Sequence, residues 1–343
     1  MSVFESPSFD NHEQVVFCRD AASGLRAIIA IHNTSRGFAL GGCRMWDYAS
    51  EEEAITDVLR LSRGMTYKNA LADLPWGGGK SVMIGNSKTE KTPEMMQAMG
   101  RFVERLGGKY VIAEDVGTCP ADMAEMAKES QFVKGIPGEG GDPSPGTAYG
   151  VFCGIQASIQ ERMGKNSLDG IRVAVQGLGH VGYDVADQLK KAGAKLWVSD
   201  MNEEALAKAK AELGAEVVGL DEVYDLDVDV YAPCALGATL NDNTIPRLSA
   251  KVVAGAANNQ LAEDRHGDML HEMNILYAPD YVINAGGVIH VYHQGPDFDE
   301  KATFDHVGRL GNTLLEIYAR SKKDGTATHV AADRLAEERF QAA

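Results

Sequence analysis

The chain has 343 residues, enough for about two domains with cores that need no disulfide or metal staples. Hydrophobic residues make up 44% and charged residues 24%, a balance that sets aside disorder, collagen and coiled coil for its bulk. A formal charge of −16 disfavours nucleic acid and anionic lipid as partners, because such a surface repels phosphate at long range.

Met1 to Gln14 is polar and acidic, without the apolar core of a signal peptide. Val15–Cys18 and Leu25–His32 are apolar runs around a Ser23-Gly24 turn, which predicts a hairpin. Ser50-x-x-Glu53 is a capping box, and Ile55, Val58, Leu59 and Ser62 follow at helical spacing. Thr92-Pro93 opens a second helix whose Met95, Met96, Met99, Phe102, Val103 and Leu106 form one core stripe. The segment 138–146 is rich in Gly and Pro and reads as a loop between two halves. From Ile171 strand and helix alternate: Ile171–Val175, a helix to about Lys191, Leu196–Ser199, Glu203–Leu213, then Val217–Val218, Asp229–Ala232 and Lys251–Ala254. That alternation implies a parallel sheet covered by helices on both faces. Asp299–Lys323 reads as one long amphipathic helix. No apolar run approaches the ~18 residues of a membrane span. Cys18, Cys43, Cys119, Cys153 and Cys234 are odd in number and include no C-x-x-C, so they read as reduced thiols. The expected location is the cytoplasm.

Glycine is in excess, 37 of 343 residues against a usual ~7%, which points to tight turns and close approach to a ligand. One cluster, Gly177-Leu178-Gly179-His180-Val181-Gly182, is a G-x-G-x-x-G that follows a strand and opens a helix. Gly177 suits the tight turn, Gly179 the approach of a diphosphate, and Gly182 the packing of helix on sheet. His180 reads as a spacer at the helix start. Asp200, at the end of the next strand, is placed to accept from the adenine ribose hydroxyls. A carboxylate there repels a 2′-phosphate, which favours NAD over NADP.

A second cluster, Leu74-Pro75-Trp76-Gly77-Gly78-Gly79-Lys80-Ser81, ends like a phosphate loop but has Leu74 where that motif needs glycine. The Val82–Gly85 stretch after it reads as a strand rather than the required helix. What remains is Lys80 on a glycine turn, with Lys68 upstream and Asp115 downstream. Two lysines in one cleft disfavour each other's charge, so one suits a general base and the other a substrate carboxylate. Asp115 is a candidate acid/base partner. These features together reach an NAD-dependent dehydrogenase with a small anionic substrate.

Taken in order, several motifs resemble the glutamate/leucine/phenylalanine/valine dehydrogenase family, its leucine-acting members most closely. They are Ala39-Leu40-Gly41-Gly42-Cys43-Arg44-Met45-Trp46, Arg63–Lys68, Gly77–Lys80, Ala113-Glu114-Asp115-Val116-Gly117, Thr147–Gly150, Ala232–Gly237, Asn258-Asn259-Gln260-Leu261 and Ala278–Gly287. The resemblance implies reversible oxidative deamination of an L-amino acid by NAD⁺ to a 2-oxo acid and ammonium. It implies Lys68 with Gly42 at the substrate carboxylate, Lys80 activating water, and Asp115 moving protons to and from the amino group. Thr147 would meet the nicotinamide amide and Asn259 its ribose region. Leu40, Gly41, Met65, Ala113, Val288 and Val291 would line the side-chain pocket, and their apolar character disfavours a charged substrate. The expected substrates are leucine, valine and isoleucine, as in branched-chain amino acid catabolism.

The implied fold is α/β with two domains and a cleft. Residues 1–137 would form a substrate-binding and oligomerisation domain to which 324–343 returns; 138–323 would form a Rossmann-type NAD domain. A homo-oligomer, from dimer to octamer, is implied, with no metal. His290-x-x-His293 has no Glu or Cys at ligand spacing. Lys134 and the His290–Gln294 run depart from the leucine-acting pattern, and Tyr292 with Asn258–Asn259 is similar to tryptophan-preferring relatives. An aromatic amino acid dehydrogenase is therefore the alternative enzyme. A silent NAD-binding regulator is the alternative outside catalysis, and an amine or 2-hydroxy acid dehydrogenase a weaker third.

Overall fold

Asp20 closes the first turn through its carboxylate, which accepts from the N–H and hydroxyl of Ser23. The hairpin so formed joins β1 (Gln14–Asp20) to β2 (Leu25–Asn33), antiparallel and in register from Gln14↔Ile31 to Asp20↔Leu25. The chain is described by a computed structural model over residues 3–138, 141–295 and 297–342. It divides into two units.

In the first unit the hairpin leads to β3 (Ala39–Trp46), α1 (Glu51–Leu71), β4 (Gly77–Ile84), α2 (Pro93–Glu104), β5 (Tyr110–Glu114) and α3 (Pro120–Ala127). The sheet runs β1-β2-β4-β3-β5; β4 is antiparallel to β2 and parallel to β3, and β3 is parallel to β5. One core gathers Ile29, Ile31, Met45, Tyr110 and Ile112 of the sheet with Met96, Met99 and Val103 of α2 and Met123 and Met126 of α3. The methionine stripe is thus core, as its spacing predicts. Another core holds Ile28, Ala30 and Val82 with Val58 and Leu59 of α1. The capping box forms with a variation: the Ser50 hydroxyl accepts from Glu53 N–H, while the Glu53 carboxylate reaches back to Ala49 N–H.

The Gly77–Lys80 segment is strand, not the glycine turn its composition predicts. None of Gly77, Gly78 and Gly79 has a positive φ. They are glycine because neighbouring backbone and rings press on them. A Cβ on Gly77 would lie 2.0 Å from Asn33 O, one on Gly78 2.0 Å from Thr66 N, and one on Gly79 2.8 Å from the Tyr110 ring.

The second unit starts with α4 (Ser144–Met163), so the predicted loop ends at 143 rather than 146; residues 139 and 140 of that loop lie outside the described residues. It continues with β6 (Arg172–Gln176), α5 (His180–Lys191), β7 (Lys195–Ser199), α6 (Glu203–Leu213), β8 (Glu216–Val217), β9 (Val230–Pro233), β10 (Val252–Val253), α7 (Arg265–Glu272) and β11 (Leu276–Tyr277). Six strands lie in the order β11-β10-β9-β6-β7-β8, every pair parallel, the doubly wound pattern the alternation predicts. Then come α8 (Asp280–Ile283), α9 (Gly286–His293), α10 (Glu300–Gly308), α11 (Leu310–Asp324) and α12 (Thr328–Gln341). The single helix expected over 299–323 is therefore two, α10 and α11, parted at Arg309, where Arg309 N–H donates to His306 O three residues back instead of continuing the four-residue ladder.

The first unit comprises Met1–Gly141, Val291–Phe298 and Ala336–Ala343. The returning segment is thus shorter than 324–343, and 291–298 joins it. The hydrogen bonds explain the shorter return. Arg339 donates to the carbonyls of Ala70 and Leu71, and the Tyr67 hydroxyl to Glu337. Earlier in α12, Thr328 donates to Tyr277 O of the second unit's sheet, and the Tyr281 hydroxyl to Asp333.

Candidate active site

Three neighbouring strands of the first unit, β4, β3 and β5, carry the charged groups. Lys80 sits in β4 opposite Ala30 of β2 and is 6% exposed. Its Nζ lies 2.8 Å from Asp115 Oδ2, just beyond β5. A lysine this buried keeps company with a carboxylate because an unpaired charge there costs several kcal/mol. Burial alone would raise the Asp115 carboxyl, but the Lys80 and Arg44 cations outweigh it and hold the acid down to about 2. Asp115 is therefore ionised at neutral pH.

The loop carrying Asp115 is fixed at several points. Thr118 Oγ1 accepts from Asp115 N–H and donates to Cys43 O at 2.8 Å. Met45 N–H donates to Val116 O, and Lys91 Nζ to Gly117 O and Asp122. Gly42, in β3, makes room for the acid: a Cβ there would lie 2.6 Å from Glu114 O and 2.8 Å from Asp115 Cβ. Lys80, Asp115 and Gly42 are thus in one place.

Lys68 is half-buried in the last turn of α1, two residues beyond the Thr66 that presses on Gly78. Of the pocket candidates, Leu40, Gly41 and Ala113 are buried in β3 and β5, and Met65 is half-buried in α1. Val291, at the end of α9, also falls in the first unit; Val288, earlier in α9, falls in the second.

In the second unit the fingerprint turn joins β6 to α5. Gly177 has φ +100°, and a Cβ there would meet Ala235 at 2.7 Å; one on Gly182 would meet Gly177 O at 2.1 Å. Gly179 is the N-cap of α5 with no side-chain cap bond, and nothing lies within 4 Å of a Cβ placed on it. An uncapped helix start with open space before it suits a diphosphate. His180 and Val181 are the first helical residues, and His180 is exposed. Asp200 Oδ2 accepts from Leu178 N–H at 2.5 Å, so the acid pins the turn. The chain's own groups therefore fit a pyridine dinucleotide.

Thr147 lies in the first turn of α4, where Gly286 and Gly287 let α9 approach: Cβ atoms there would meet Gly146 O at 2.0 Å and Thr147 Oγ1 at 2.7 Å. Asn259 is exposed with φ +51°; its carbonyl accepts from Ala238 N–H, and its neighbour Asn258 Oδ1 accepts from Asn284 Nδ2.

Two residues that depart from the expected pattern have structural partners. Lys134 Nζ donates to Gln294 O at 3.0 Å, and Tyr292 lies edge-on to Trp76 with ring centroids 4.9 Å apart. Among the described residues no three His, Cys, Asp or Glu side chains form a metal-binding group, and no helix is long and apolar enough to cross a membrane. Sequence reasoning gave no role to Arg44, Asp57 or Tyr48. Arg44 stood inside a recognised motif; nothing in the spacing connects Asp57, on α1, to a strand end.

Two stretches of the chain match models of known families. Residues 12–132 match the family described as Glu/Leu/Phe/Val dehydrogenase, dimerisation domain, and residues 198–294 match Glutamate/Leucine/Phenylalanine/Valine dehydrogenase. Leucine dehydrogenase of Bacillus cereus is 53% identical over 343 residues, covering 99% of this chain and 94% of the relative. Leucine dehydrogenase of Geobacillus stearothermophilus is 51% identical over 344 residues, with the same coverage. The crystal structure of L-tryptophan dehydrogenase from Nostoc punctiforme superposes with a TM-score of 0.87 at 46% identity, covering 96% of each chain.

Proposed function

The chain belongs to the glutamate/leucine/phenylalanine/valine dehydrogenase family of amino acid dehydrogenases, and from that premise we propose that it oxidatively deaminates hydrophobic L-amino acids with NAD⁺, leucine, valine and isoleucine foremost. The products are the 2-oxo acid, ammonium and NADH, and the reaction is reversible. The observation that carries the reading is the ion pair of buried Lys80 with half-buried Asp115 at 2.8 Å, seated against Gly42.

In this reading Lys68 binds the substrate carboxylate beside Gly42. Asp115, ionised at neutral pH, takes a proton from the substrate ammonium and returns it to the departing ammonia. Lys80 orients and activates the water that attacks the imino carbon. The dinucleotide bound on the fingerprint turn supplies the hydride acceptor. Gly177, Leu178, Gly179, His180, Val181 and Gly182 hold its diphosphate, Asp200 its adenine ribose, Thr147 its nicotinamide amide and Asn259 the nicotinamide ribose region. The Asp200 carboxylate supports NAD over NADP.

In this reading Leu40, Gly41, Met65, Ala113, Val288 and Val291 line the side-chain pocket; all six are apolar and none is a cation that could pair a side-chain carboxylate, so glutamate is disfavoured by several kcal/mol. Among apolar substrates, discrimination is only ~1–3 kcal/mol per methylene, so the aliphatic set is handled broadly. Tyr292, which favours aromatic substrates at the level of sequence, is engaged by Trp76 in packing, and that supports the aliphatic reading. In this reading the enzyme works in the cytoplasm and forms a homo-oligomer, and the dimerisation-domain match supports the oligomer.

The test is NADH formation by the purified chain with NAD⁺ and a panel of leucine, valine, isoleucine, phenylalanine, tryptophan and glutamate. Highest kcat/KM on an aliphatic substrate, with little on glutamate, supports the proposal. Preference for tryptophan or phenylalanine would replace the aliphatic assignment, and binding of NADH without turnover would indicate a regulator.

A further inference from the structure

Asp115 carries two cations, and only one of them has a role in the reaction just described. Arg44 Nε lies 3.2 Å from Asp115 Oδ2, the same oxygen that Lys80 Nζ contacts at 2.8 Å. Arg44 in turn gives Nη1 to both oxygens of Asp57, at 3.3 and 3.0 Å, and Asp57 Oδ2 accepts from the Tyr48 hydroxyl at 2.6 Å. The row Tyr48–Asp57–Arg44–Asp115–Lys80 runs from the loop between β3 and α1, through α1 and β3, to the loop just after β5 and to β4. Its members lie in a poorly screened environment, since the Arg44, Asp57 and Asp115 side chains are only 22%, 27% and 22% exposed and Lys80's 8%.

We propose that Arg44 and Asp57 are positioning residues that set the protonation of the Lys80–Asp115 pair from behind: Arg44 presses a permanent positive charge on the pair, and Asp57 offsets part of it. The inference rests on the amino acid dehydrogenase reading of that pair. Its logic is electrostatic. An arginine does not titrate in the working range, so its charge is a fixed bias. A positive bias lowers the titration of either partner, and a negative one raises it. Because lysine and aspartate are coupled, the apparent values belong to the pair, and the sign of the effect is the same whichever group sets the limb. Asp115 also acts on the Tyr48 hydroxyl, the Cys43 thiol on β3 and the Tyr110 hydroxyl on β5, and Asp122 acts on Cys43. The thiol and both phenols are pushed upward by burial and stay neutral through the working range, so they supply no competing charge.

The test is the pH profile of kcat/KM for deamination in wild type, Arg44→Gln, Asp57→Asn and Arg44→Lys. Arg44→Gln moves the acid limb to higher pH by about one unit or more, as loss of a cation this close requires. Asp57→Asn moves it to lower pH, by less, because Asp57 acts through Arg44. Arg44→Lys returns the limb to the wild-type position while kcat stays several-fold low, since a single ammonium does not reproduce the two-armed bridge. Melting temperature and NADH affinity are followed in parallel, and if Arg44→Gln fails to fold, Asp57→Asn and Arg44→Lys still decide the sign. Limbs that stay in place, or that move the same way in both charge variants, would overturn the inference while leaving the reaction intact. A wild-type chain that turns over no amino acid would overturn both.

Discussion

Gly42→Ala is the sharpest probe of how the strands hold the candidate site. The new Cβ would stand 2.6 Å from Glu114 O and 2.8 Å from Asp115 Cβ, where ordinary contact begins at 3.4 Å. The Glu114 carbonyl would have to retreat by about 0.8 Å and Asp115 by about 0.6 Å, the differences between those distances. Neither retreat is cheap, because Gly42 pairs with Ala113 in the same ladder and Thr118 ties the loop to Cys43 O. A displacement approaching 1 Å at a reacting group costs on the order of 10²-fold in rate. Steady-state kinetics on leucine should therefore show kcat down by about that factor. NADH affinity, which the proposed function assigns to the fingerprint turn of the other unit, should stay within about twofold. A Gly42→Ala enzyme with wild-type kcat would refute the argument that the glycine exists to admit Asp115.

Other outcomes follow from the same geometry. Lys80→Ala should remove detectable turnover while leaving NADH binding in place, measured by fluorescence titration. Asp200→Ala should relax the coenzyme preference, raising kcat/KM with NADP⁺ relative to NAD⁺; it should also loosen the turn, since Leu178 N–H loses its acceptor. His32 is 6% exposed, and burial lowers its titration to about 4, the Asp10 carboxylate only partly opposing this. The unfolded chain binds that proton near pH 6.5 and the folded chain does not, so stability falls as pH drops from 6.5 toward 4. The loss is about 3 kcal/mol when complete. Urea unfolding at pH 7.5 and 4.5 should show it. His32→Asn should flatten the dependence; an equally steep loss in that variant would exonerate the histidine.

Much of this was legible in the sequence where local chemistry decides the outcome. Thr92-Pro93 starts α2, with Thr92 Oγ1 accepting from Met95 N–H, and the fingerprint turn stands where the strand, the glycines and Asp200 put it. The failures are tertiary. Gly77–Gly79 looks like a turn because three glycines usually mark one; here the cause is pressure from Asn33, Thr66 and Tyr110, which lie far off in sequence. The break at Arg309 leaves no mark in the periodicity. Arg44 and Asp57 become neighbours only because β3 and α1 bring them together across 13 positions. An ion pair of that span has no sequence spacing to recognise.

The central claim is that the Lys80–Asp115 pair serves oxidation at the carbon bearing the amino group. It is tested most directly with leucine deuterated at Cα, NAD⁺ and the purified chain. The account predicts deuterium in the NADH formed, ammonium and 2-oxo acid in equal amounts, and loss of all three in Lys80→Ala. Ammonium released without reduced coenzyme, or label transfer undiminished in Lys80→Ala, would contradict it.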